Sequence, residues 1–189
     1  MAPGTPAAFC GARPGGTAPV VPGANLGVGR AGRSAAFAFA AALLAAGQVQ
    51  AQSNNVRITK LSDVAFGSLA NLGVDATSAQ SICVFAHTGS NGYRVTATGS
   101  APGGVFALSS GANLLAYDVQ WSASAGQTSG TQLSPNATLT GLTSAATQQT
   151  CNNGPATSAS LIVVLRSVEL TSATAGSYTG TLTLLIGPE

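Results

Sequence analysis

The chain has 189 residues, and the 7 Lys or Arg and 5 Asp or Glu make only 6% of it charged, against about 25% in ordinary soluble domains. So few cations exclude a nucleic-acid partner bound through phosphates. A single His and three Cys without close spacing exclude a His cluster or a zinc site, and no cofactor is expected.

Residues 1–27 are rich in Pro, Gly and Ala and read as an extension upstream of the true start of translation, with Leu26 or Val28 as initiator. Residues 28–51 read as a signal peptide. Arg30 and Arg33 form its basic flank, Ser34 to Ala46 its uncharged apolar run, and Val49-Gln50-Ala51 supplies the small residues at a cleavage site placed between Ala51 and Gln52. The apolar run is about 13 residues, short of the roughly 20 that a membrane span needs. The protein is therefore expected to be exported, with no membrane span.

Removing 51 of 189 residues leaves 138, so 52–189 is read as one domain with one core. Arg57, Lys60, Arg94 and Arg166 stand there against Asp63, Asp75, Asp118, Glu169 and Glu189, one net negative charge. Solubility rests on Ser, Thr, Asn, Gln and Gly, and such a surface has little repulsion to keep copies apart. Two cysteines remain, Cys83 and Cys151. In an exported chain they are most simply a disulfide, the alternative being two buried free thiols.

Short alternating runs recur between Gly, Asn, Ser and Pro clusters, and helical periodicity is nearly absent. Val56, Ile58 and Leu61 open the domain, and Val64-Ala65-Phe66-Gly67 is predicted to follow as strand, bending at Gly67. Ser81 to Ala86 places Ile82 and Val84 on one face, Cys83 and Phe85 on the other. Gly89-Ser90-Asn91-Gly92 reads as a hairpin turn into Tyr93–Thr98, whose odd-numbered residues face inward. Ala101 to Gly104 makes the next reversal, Val105 to Leu108 a short strand and Ser109 to Asn113 a turn. Leu115, Tyr117, Val119 and Trp121 share one face of a single strand, with Trp121 as a core plug. Ser122 to Gln149 weakens into loops and one or two edge strands, with Leu133, Leu139 and Leu142 as anchors. Ala159 to Leu165 is the most apolar run and suits a central strand covered on both faces. Thr171 to Gly176 connects it to a terminal strand ending at Gly187-Pro188. About eight strands at regular spacing indicate an all-β sandwich.

No arrangement of catalytic residues stands out, and no enzyme is expected. His87 falls at a strand end, Gly-x-Ser-x-Gly is absent, and the carboxylates are scattered without an acid/base pair. Gly99 to Gly104 lacks the Lys and helix that a phosphate cradle requires. Asn136-Ala137-Thr138 matches a glycosylation sequon by chance.

Four features in order carry a resemblance: Phe66-Gly67 closing the first strand, a Cys83 strand before a Gly-rich turn, Leu115 to Trp121, and Ala175-Gly176-Ser177-Tyr178-Thr179-Gly180-Thr181-Leu182. Together, over residues 54–187, the chain resembles the spore coat protein U domain family, which contains subunits of archaic chaperone–usher pili. The resemblance implies an immunoglobulin-like, pilin-type β-sandwich lacking one strand. Its partners would be a periplasmic chaperone, an outer-membrane usher and neighbouring pilus subunits, the last supplying a donor strand. It also implies that the terminal and first strands flank the acceptor groove, with Tyr178, Leu182, Leu184 and Ile186 on one edge and Val56 and Ile58 on the other. An exposed strand edge is a recognised site for pairing with another chain.

The chain departs from the family in lacking a cysteine near the first strand and an Arg-x-Met motif, with Leu108 to Asn113 where that motif would lie. Only Gln52 to Asn55 precede the first strand, little room for a donor extension, so a subunit that accepts without donating, at a fibre tip or as a minor component in adhesion, is expected. The alternative is a self-contained secreted β-sandwich that binds a carbohydrate or another surface ligand.

Overall fold

The computed structural model describes residues 54–189. Residues 1–53, with the expected signal peptide and the Ala51–Gln52 cleavage position, lie outside the described residues. The described chain is an antiparallel, immunoglobulin-like β-sandwich. One sheet holds β1 (Asn55–Thr59), β2 (Ala76–His87), β9 (Ala159–Leu165), β6 (Asp118–Ser122) and β7 (Thr131–Gln132), in that spatial order. The second holds β10 (Leu182–Pro188), β3 (Gly92–Gly99) and β8 (Thr138–Thr143), while β4 (Ala107–Ser110) and β5 (Asn113–Ala116) form a hairpin of their own.

Alternation builds the core. Ile82, Val84 and Ala86 of β2 and Leu161, Val163 and Leu165 of β9 point at Tyr93, Val95 and Ala97 of β3, all of them buried. Trp121 of β6 reaches across the sandwich, where its Nε1–H donates to Tyr93 Oη at 3.1 Å and the two rings meet edge to face. That is the core plug expected from the sequence. Burial also raises the Tyr93 phenol above its ordinary pKa. β9 is buried along its whole length and central in its sheet. Its second face is covered by the loop after β6, where Ser160 Oγ donates to Ser124 O and accepts from Gln127 N.

Several expectations are corrected. The turn after β2 does not close a hairpin: β2 and β3 belong to different sheets, so Thr88 to Asn91 is an arch over the edge of the sandwich, pinned by Gly92 N donating to Thr88 Oγ1 at 2.7 Å. Leu115 to Trp121 is two strands, because the chain leaves the β4–β5 hairpin at Tyr117 to join β9. The strand expected at Val105–Leu108 begins two residues later and takes in Ser109 and Ser110, which leaves only Gly111 and Ala112 as the turn. Val64 to Gly67 forms no strand. The connection after β9 contains a short helix, α1 (Ser167–Ser172), which buries Leu170; one turn with one anchor is too short to leave a helical period in the sequence. Asn136, of the sequon, is a loop pin whose amide donates to Gly103 O and accepts from Thr98 Oγ1.

An ion-pair cluster fixes the ends of three elements. Arg166, just after β9, reaches Asp118 at the start of β6 through Nε at 2.6 Å and Asp75 just before β2 through Nη1 at 2.9 Å. The Ser167 backbone N–H also donates to Asp75 Oδ1, at 2.7 Å. That bond first, and Arg166 second, hold the Asp75 carboxyl below its ordinary pKa.

Two measurements check this architecture. Trp121→Phe leaves the buried Tyr93 hydroxyl without its donor and is expected to lower the free energy of urea unfolding by about 1–3 kcal/mol; an unchanged midpoint would contradict the cross-sheet bond. For Asp75, a folded pKa below the unfolded value of about 3.9 means its contribution is fully present above pH ~4 and is lost as pH falls through the folded value. The stability gap between the parent and Asp75→Asn should therefore shrink on acidification below pH ~4, and a gap that stays constant would contradict the clamp.

Candidate functional site

Among the described residues β1 is paired only to β2 and β10 only to β3, so each is the outermost described strand of its sheet, and the two lie against each other along one seam of the sandwich. Beyond β1 the seam opens into a cleft of roughly 1330 Å³. Its floor is made by Leu161, Val163 and Leu165 of β9 with Leu115 and Tyr117, and α1 closes one end with Leu170. One wall is the segment Leu61–Leu69 and the other the segment Ala173–Leu182 with Leu184. Asp63 is the one residue along these walls and floor that is charged at neutral pH. Leu61 and Leu72 on the rim remain 45% and 39% exposed, so apolar surface continues out of the cleft.

Local chemistry explains why the seam parts where it does. β1 is stopped by Lys60, the residue after its end, a non-glycine residue with φ +64°, a left-handed conformation that costs an ordinary residue roughly 1–2 kcal/mol and stops a strand. The side chain offsets this by donating from Nζ to Ala156 O at 2.6 Å and Cys151 O at 3.2 Å. Both carbonyls belong to the loop between β8 and β9, which is tied to β2 by a disulfide between Cys83 and Cys151, 68 residues apart, with a Cα–Cα distance of 6.0 Å. Cys83, Cys151, Ala146 and Phe85 form a small second core on the outer face of β2. On the other wall, Thr179 exchanges two backbone hydrogen bonds with Ser109 of β4, and Thr181 N donates to Ser100 Oγ.

Of the six expected groove-edge residues, Tyr178, Leu182 and Leu184 line the cleft. Val56, Ile58 and Ile186 instead pack, partly buried, on the main core where β1 meets β10. The second edge is formed by Leu61 to Leu69, and the floor by the inward residues of β9. The sequence marked β9 as a central strand covered on both faces, without saying which face floors a cleft, and it hid the departure of the chain from the sheet at Lys60. Among the described residues no group of three or more His, Cys, Asp or Glu can hold a metal ion. His87 ends β2 at the surface, its ring stacked on Phe85.

No protein-family model matches the chain, and no curated protein matches it. Among solved structures, the chain is similar to one in the crystal structure of the CsuC–CsuE chaperone–tip adhesion subunit pre-assembly complex from archaic chaperone–usher Csu pili of Acinetobacter baumannii. The identity is 18% and the TM-score 0.39, over 70% of this chain and 39% of that one. This chain thus spans less than half the length of its neighbour, and a likeness at that level leaves the cleft to be understood from its own residues.

The disulfide anchors the loop that holds Lys60, so its loss is expected to act on stability. Replacing both Cys83 and Cys151 by Ser removes a closure of 68 residues, worth about 4 kcal/mol in the chain-entropy account and typically 2–4 when measured. Urea unfolding of the double variant should show a loss in that range; an unchanged midpoint would contradict the staple.

Proposed function

We propose that the protein is an exported structural subunit of a surface fibre that is completed by a β-strand from another polypeptide. One observation carries this reading: two outermost strands from opposite sheets share a seam, and the cleft that continues it is floored by apolar residues at alternate positions of the central strand. Leu161, Val163 and Leu165 repeat every second residue, about 6.8 Å apart along an extended backbone. An inserted strand has the same period, so its alternate side chains meet this floor while its backbone meets the free edges. Each Val, Leu or Ile so buried contributes about 1.5–3 kcal/mol, and the ladder bonds supply register.

On this reading the subunit is held after export by a periplasmic chaperone, passed to an outer-membrane usher and completed by a neighbouring subunit. The spore coat protein U resemblance, the disulfide and the surface poor in charge support it. The short stretch between the expected cleavage position and β1 favours an acceptor at the tip or in a minor, adhesive position. The role is structural rather than enzymatic.

The test compares the full-length chain produced in its own host with the same chain exported alone from a heterologous bacterium. Alone it is expected to aggregate or be degraded, because edges and cleft go unfilled; from its own host it should be extracted in a high-mass assembly. A stable, soluble monomer from both sources would overturn the fibre role and favour a self-contained secreted ligand binder.

A further inference from the structure

Asn-Gly occurs twice in the chain, at Asn91–Gly92 and at Asn153–Gly154. The pair has a chemistry of its own: with no side chain on the glycine, its backbone nitrogen can reach the side-chain carbonyl carbon of the preceding Asn and close a five-membered ring. Both Asn are exposed, yet the fold treats the two pairs oppositely. At the first, the nitrogen is occupied. Gly92 is buried and its N–H donates to Thr88 Oγ1 at 2.7 Å, while the Asn91 N–H donates to Thr88 O and the Asn91 carbonyl accepts from Ser144 N. Attack from Gly92 N first has to break a buried hydrogen bond.

At the second pair the nitrogen is free. Asn153 and Gly154 are exposed in the loop between β8 and β9, and among the described residues Gly154 N has no hydrogen-bond acceptor. One bond does touch the peptide that links the two residues: Thr147 Oγ1 donates to Asn153 O at 3.1 Å. For Gly154 N to attack, it must lose its proton, and amide resonance then carries the charge on to that same carbonyl oxygen. A hydroxyl aimed at the oxygen stabilises the charge as it develops, the relation on which oxyanion holes rest. The glycine is also demanded by the fold. Its φ is +110°, and a Cβ in its place would collide with Thr147 Oγ1, so the residue that leaves the nitrogen unshielded is the one that fits beside Thr147.

We propose that Asn153–Gly154 is a site of spontaneous covalent self-modification, promoted by Thr147 through the Asn153 carbonyl, and that Thr88 keeps Asn91–Gly92 silent. Gly154 N gives its proton to solvent and bonds to Asn153 Cγ; the side-chain nitrogen takes up a proton and leaves as ammonia, and a succinimide remains. Water then adds to one of the two ring carbonyls and the C–N bond to that carbon breaks. Addition at Cγ gives Asp, and addition at the main-chain carbonyl gives isoaspartate, with the chain running through Cγ. The balance is one water in and one ammonia out, with no change of oxidation state. Either product turns a neutral amide into a carboxylate, so the one net negative charge of residues 52–189 becomes two. The anion arises in the loop whose Cys151 and Ala156 carbonyls hold the Lys60 ammonium. On a surface this poor in charge, copies of the protein gain mutual repulsion as they age. The site needs no partner and is independent of the fibre role.

The exported chain is incubated in mildly alkaline buffer made with heavy-oxygen water, and Asp and isoaspartate at both positions are followed by peptide mass spectrometry. In the folded chain Asn153 is expected to convert about tenfold faster than Asn91 or more, the rate equivalent of the bond that Gly92 N must break. The products should be a mixture of Asp and isoaspartate, each with one heavy oxygen. In urea, where only the shared Asn-Gly step is left, the two rates should converge. Thr147→Val should slow conversion of Asn153 about two- to tenfold, and Thr147→Ser, which keeps the hydroxyl, should restore it. Thr88→Val frees Gly92 N and should raise conversion at Asn91; if that variant unfolds, the parent's rates in buffer and in urea decide the point. No conversion at Asn153, equal rates at the two positions in the folded chain, or Asp without isoaspartate overturns the site. A Thr147→Val rate equal to the parent's overturns the part given to Thr147.

Discussion

A β-sheet satisfies the backbone polar groups of every strand except the outermost two, and each sheet must dispose of those edges by twist, charge, cover or pairing. Here an outermost strand of each sheet, β1 and β10, comes to the same seam. Neither edge is blunted by charge: β10 carries none before Glu189, and β1 carries only Arg57, which points to Gln149 on the outer face. The cleft beside them runs over the inward side chains of β9, the most buried of the described strands. Backbone edges and apolar floor thus present the two halves of one requirement, which an extended chain with alternating side chains meets.

The rest of the sandwich is held together by interactions that lie away from this seam. The Trp121–Tyr93 bond and the interdigitated residues of β2, β3, β6 and β9 hold the two sheets together away from the seam. The Arg166 cluster ties the entries to β2 and β6 to the exit of β9. The disulfide fixes the β8–β9 loop to β2, and that loop in turn holds Lys60, the bend at which β1 leaves its sheet. A covalent staple and a strained backbone residue are therefore coupled through two carbonyls, and the coupling sets where the cleft begins.

Much of the fold was legible in the sequence because burial here follows period 2. The inward faces of β3 and β6 could be read residue by residue, as could the two-face alternation of β2, the central, doubly covered place of β9 and the pairing of Cys83 with Cys151; the polar middle of the chain gave edge strands without their bounds. What the sequence withheld were decisions made by tertiary structure. Gly89 to Gly92 has hairpin chemistry, but an arch between sheets uses the same residues. Tyr117 belongs to the same alternation as its neighbours, and nothing local marks it as the point where the chain changes sheets. The cleft was legible in part: Tyr178, Leu182 and Leu184 lie on it, whereas Val56, Ile58 and Ile186 lie where the seam is closed. Val64 to Gly67 is the instructive difference. Its alternation is that of a strand, and the absence of a ladder follows from Lys60 and from the Gln80 side chain, whose amide bonds Ser62 N and O in place of the β2 backbone, two effects that no periodicity contains.

The central claim is that backbone from a second polypeptide completes this seam. The most direct measurement is a high-resolution structure of the protein isolated from its own host, read at the floor formed by Leu161, Val163 and Leu165. The account expects an extended segment of another chain there, hydrogen-bonded to the outer edge of β10. A seam closed by residues of the protein itself, with β10 paired to its own chain on both sides, would contradict it.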